Sequence, residues 1–149
     1  MERPSRLAWA ILLVAGAVLV LAGLASIAVG ILNPALISSQ LPPEAAVDAP
    51  AVGGAAVALG VATAFLGFGH VAMALALRLG VRVAATGAVV LASTMAVLAL
   101  GFAIAAVVSI ASGSAPAIYM VPAAIGLGLG VIGYAIVTAL VIGSRGEPI

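Results

Sequence analysis

The sequence contains no cysteine and no lysine, and only 6% of its 149 residues are charged. Without cysteine there can be no disulfide, thiolate metal site or catalytic thiol. The shortage of charge excludes more. Soluble chains carry roughly a quarter charged residues, whereas 66% of this one is hydrophobic, more apolar surface than a water-soluble fold can hide. The solvent has to be lipid. The formal net charge of +1 rests on five scattered arginines that form no basic stripe, so nucleic acid is not an expected partner.

The charged residues are Glu2, Arg3, Arg6, Glu44, Asp48, Arg78, Arg82, Arg145 and Glu147, which leaves residues 83–144 without a formal charge. A hydrocarbon core about 30 Å thick needs about 20 apolar helical residues to cross it. Windows between charges and turn clusters give four such spans, residues 7–32, 51–77, 83–111 and 117–142. Helix is expected over β-barrel because the hydrophobicity is continuous and does not alternate, and because a lone helix satisfies its own backbone groups in lipid. The first span follows Arg3 and Arg6 as a signal peptide would. Its apolar stretch is far longer than a signal core of roughly 7 to 15 residues, so it reads as a retained span.

The expected architecture is all-α: an integral membrane four-helix bundle, one transmembrane domain over residues 1–149, antiparallel up-down-up-down. All arginines precede the first span, lie in the second connection or follow the last span, while the first connection carries Glu44 and Asp48 and no base. The positive-inside rule then places both termini in the cytoplasm of a cell with an inner (plasma) membrane, with Trp9 an interfacial anchor on that side. The absence of lysine, with abundant alanine, glycine and valine, fits a bacterial genome rich in G and C.

The connections differ in character. Residues 33–50 hold four of the eight prolines and read as an irregular external loop. Residues 78–82 read as a tight turn around Gly80, and residues 112–116 as a short turn in which Ser114 caps the last helix. Pro122 has no N–H for the carbonyl of Ile118 and permits a kink there.

Glycine supplies the clearest pattern. Gly16, Gly23 and Gly30 are seven apart, as are Gly53, Gly60 and Gly67; Gly80 and Gly87 continue through Thr94 to Gly101; Gly126 and Gly133 repeat the step. Random scatter of this many glycines would give about two such pairs where six occur, so the columns predict helix faces on which backbones approach closely. A period of seven favours left-handed crossing near about +20°. Gly126 and Gly130 also form a GxxxG pair able to receive a partner helix. The Gly-Leu-Gly-Leu-Gly run ending at Gly130, with the chain's size and four spans, resembles the duplicated proteolipid of rotary ATPases. That family's membrane-embedded carboxylate has no counterpart here, so the resemblance implies no rotary function.

His70 is the single histidine and lies within the second span. Thr63, Gly67, His70 and Ala74 share a face by three- and four-residue steps, which directs the imidazole into the bundle. Tyr134, at similar depth in the fourth span, with Ser93 or Thr94 from the third, is the expected hydrogen-bonded cluster satisfying it. A relay needs a second titrating group and none is embedded, so His70 reads as a neutral link between helices. Haem ligation would need Met73, Met95 or a second chain's histidine, and both methionines read as apolar filler, so no cofactor is expected. No catalytic set, metal-ligand spacing or phosphate loop is visible, and no carboxylate in any span is available for ion coupling. The sequence therefore points to a structural or accessory subunit, not an enzyme, partnered by the bilayer and by a second copy or a larger membrane protein. The alternative is a small transporter or channel-like protein with a path between helices or protomers.

Overall fold

Alanine, leucine and valine runs without a buried charge leave helix as the one local structure that needs no outside hydrogen-bond partner in lipid. In a computed structural model, described for residues 3–39, 49–81, 83–113 and 117–143, the apolar runs form four long helices. They are α1 (Arg3–Leu32), α3 (Ala49–Arg78), α4 (Ala84–Ala111) and α5 (Ala117–Gly143), with a five-residue α2 (Pro34–Ser38) after the first. No strand occurs among the described residues. At 1.5 Å per residue the long helices measure about 40–45 Å, more than the hydrocarbon thickness, and all four are apolar enough to cross a membrane. The chain is accordingly described as a multi-pass membrane protein.

Side chains are sorted by size in the sense opposite to a water-soluble core. Most buried apolar residues are alanines, among them Ala8, Ala64, Ala74, Ala88 and Ala92, whereas Leu32 is 82% and Phe65 79% exposed. Lipid tails are as apolar as leucine, so nothing drives large side chains inward; small ones are selected between helices because they let backbones approach.

Contacts divide the chain into two compact units, Leu13–Ala72 and the pair of segments Met1–Leu12 and Met73–Ile149. In the first unit α1 and α3 meet glycine against glycine. A Cβ built on Gly16 would lie 2.8 Å from the Gly67 carbonyl oxygen, on Gly23 2.5 Å from that of Gly60, and on Gly30 2.7 Å from that of Gly53. The relation is reciprocal: a Cβ on Gly67, Gly60 or Gly53 would lie 2.7 Å from the oxygen of its opposite number. Numbers rise along one segment as they fall along the other, so these two segments run antiparallel.

Asn33 and Pro34 correct the expectation that the first connection is irregular from its first residue. The Asn33 Oδ1 accepts the Leu36 N–H at 3.1 Å, and Pro34 occupies the first helical position, where its missing N–H costs nothing. The result is α2, and Pro34 lies against Gly53, 2.9 Å from where its Cβ would be. The acidic part of the loop, Glu44 and Asp48, lies outside the described residues.

In the second unit α4 packs against α5. The buried stripe of α4 is alanine: Ala84, Ala88, Ala92, Ala99 and Ala106. The corresponding residues of α5 are Tyr134, Val137 and Val141, one face by three- and four-residue steps. Between α3 and α4, Gly80 takes φ +71° and its N–H bonds the Leu77 carbonyl at 3.1 Å, while the Val81 N–H reaches back to Ala76 at 3.0 Å. This paired closure needs a left-handed residue that only glycine adopts without strain, and it ends α3 within the expected tight turn. Gly113, φ +68°, ends α4 similarly, its N–H bonded to Ile110 at 3.1 Å. The expected cap Ser114 lies outside the described residues, as do Arg82 and Arg145. Pro122 sits within the first turns of α5, which runs through it.

Candidate functional site

The site begins with the notch left by Gly16. A Cβ there would lie 3.0 Å from the Cβ of His70 and 2.9 Å from Val71 Cγ2, so the missing side chain is what admits His70 to the α1–α3 seam. His70 is fully buried, at 0% exposure. Its Nδ1 lies 2.8 Å from the Leu66 carbonyl oxygen, one turn earlier on its own helix. A carbonyl only accepts, so Nδ1 must carry the proton, and in the neutral ring Nε2 is the acceptor. No buried side-chain nitrogen or oxygen among the described residues lacks a partner. Nitrogen-15 NMR of the labelled protein in micelles should therefore show a protonated Nδ1 for its one histidine. The opposite tautomer would remove the Leu66 bond from the account.

The expected cluster is placed unevenly. Tyr134 is buried, but it belongs to the second unit while His70 belongs to the first. Ser93 and Thr94 are exposed on α4. The buried phase of α4 is set by Ala92 and Ala99, and residues 93 and 94 stand about 100° and 200° around the helix from Ala92, which turns their hydroxyls off the packed face.

Several other hydroxyls bond to backbone. Thr63 donates to Leu59 at 2.8 Å and Thr138 to Tyr134 at 3.0 Å, each within its own helix, while Ser26 Oγ crosses from α1 to the Ala56 carbonyl of α3 at 2.9 Å. Ser26 thus adds a polar bond between the Gly23–Gly60 and Gly30–Gly53 approaches, and its position one turn beyond Gly23 was the available sequence signal for it.

The glycines of α4 and α5 behave differently from the seven-spaced glycines of α1 and α3. A Cβ on Gly87 would meet the flexible end of Met73, 2.6 Å from its Cε, and one on Gly133 would be in ordinary contact with Ile11 Cγ2 at 3.8 Å. Gly101, Gly126 and Gly130 have nothing within 4 Å of the added atom. On α4 alanine, not glycine, fills the close face, because a methyl group still allows the α4–α5 approach.

Among the described residues no three histidine, cysteine, aspartate or glutamate side chains are grouped to hold a metal ion. Protein-family models, curated protein sequences and solved structures include no match to this chain.

Proposed function

We propose that this is a small inner-membrane protein of four antiparallel spans, both termini cytoplasmic, acting as a structural or accessory subunit and not as an enzyme. The observation that supports the reading best is the contrast between the two glycine sets. The seven-spaced glycines of α1 and α3, Gly16, Gly23, Gly30, Gly53, Gly60 and Gly67, are used up against each other, whereas Gly101, Gly126 and Gly130 have open space where a partner helix can approach. The arginine distribution supports the orientation, and the satisfied bonding of buried polar groups supports a structural His70. The occupant of those faces is a second copy or a larger membrane protein.

Gentle extraction from the native membrane, followed by identification of what remains bound, tests this. A stoichiometric complex, hetero- or homo-oligomeric, that dissociates on Gly126→Leu or Gly130→Leu is expected. His70-dependent flux through the purified protein alone in proteoliposomes would replace the accessory reading with permeation.

A further inference from the structure

Trp9 and Arg78 bring the start of α1 against the end of α3. The Arg78 guanidinium carbon lies 5.3 Å from the indole centroid, a cation–π contact at the ends of two spans. Arg78 is exposed, and its guanidinium carries five N–H donors in one plane. They are not needed to cap α3, because the N–H groups of Leu79, Gly80 and Val81 already take the carbonyls of Leu75, Leu77 and Ala76. Arg6, also exposed, stands three residues before Trp9 and so on the same face of α1.

We propose that Arg78, in cation–π contact with Trp9 and with Arg6 one turn away, forms a binding site for the phosphate of an anionic phospholipid headgroup. A guanidinium against an indole, with a second arginine one turn away at the end of hydrophobic spans, meets the bilayer where headgroup phosphates lie. A planar guanidinium presents paired donors to two phosphate oxygens. An anionic lipid is selected over a zwitterionic one because no ammonium of its own offsets the phosphate charge. The site depends on neither the orientation of the chain nor its partners.

Trp9 is the single tryptophan, so indole fluorescence reports this place alone. The full chain is reconstituted in phosphatidylcholine with an equal small fraction of brominated phosphatidylglycerol or brominated phosphatidylcholine, and quenching is compared. The charged lipid is expected to be enriched roughly tenfold beside Trp9 over the neutral one. Arg78→Gln and Arg6→Gln each lower that enrichment roughly threefold to fivefold, and Arg78→Lys has an intermediate effect. Circular dichroism confirms that each variant keeps its helix. Equal quenching by the two lipids, or enrichment unchanged in both glutamine variants, overturns the proposal. So does displacement of the brominated lipid by inorganic phosphate in the buffer, which would assign the site to a soluble anion.

Discussion

Gly23→Ala and Gly60→Ala should each destabilise the protein by about 1–3 kcal/mol, while Gly54→Ala and Gly69→Ala should be neutral or stabilise it by up to about 1 kcal/mol. The same chemical change has opposite signs because of what the new methyl group meets. At Gly23 and Gly60 it meets a backbone carbonyl oxygen at 2.5 and 2.7 Å, which no side-chain rotation can move. The helices must separate, losing dispersion contact along a seam that has little else to hold it. At Gly54 and Gly69 nothing lies within 4 Å, so the methyl only restricts the backbone of the unfolded chain. Gly87→Ala is expected to fall between, since the obstruction is the terminal methyl of Met73, which can swing aside. Reversible unfolding in mixed micelles, followed by circular dichroism, ranks the five variants. Equal costs at Gly60 and Gly54 would mean that α1 and α3 are not in backbone contact.

His70→Ala should cost about 2–4 kcal/mol in the same assay, and His70→Leu about half as much. Alanine removes the ring and leaves a void opposite Gly16. Leucine restores most of the volume and loses only the polar bonds. The Leu66 carbonyl keeps the backbone N–H of residue 70, as in any helix, so that oxygen is not stranded by either change. A ring that serves as packing and as an internal tie thus predicts a graded response. If His70 were needed mainly as a polar group, leucine would be as damaging as alanine, and that result would reject the packing account of the notch.

The long helices were legible in the sequence because charge and turn residues bracket them: the spans expected at residues 7–32 and 51–77 lie within Arg3–Leu32 and Ala49–Arg78. The extra turn of α1 at Arg3 escaped a criterion based on hydrophobicity, which marks the lipid core and not the helix end. The α2 turn was missed because proline at Pro34 was read as a breaker, although after asparagine it starts a helix. The spacing of Gly16, Gly23 and Gly30 stands out in the sequence because glycine in a span is costly. The alanine stripe of α4 was invisible for the converse reason. Alanine suits both lipid and a helix neighbour, so Ala92 and Ala99 differ in no readable way from alanines that face outward, and the phase of Ser93 and Thr94 could not be fixed.

Marks that recur every seven residues on both rods make a scale without numerals: sliding α1 along α3 by one interval, about 10 Å, would again bring Gly23 opposite Gly67 and Gly30 opposite Gly60. What tells one setting from the next is the fittings that occur once. His70 at the Gly16 gap, the Ser26 hydroxyl on Ala56 and the Pro34 ring on Gly53 coincide in a single alignment. The glycines therefore determine how near the two rods lie, and these three unrepeated residues determine where along their length they stop.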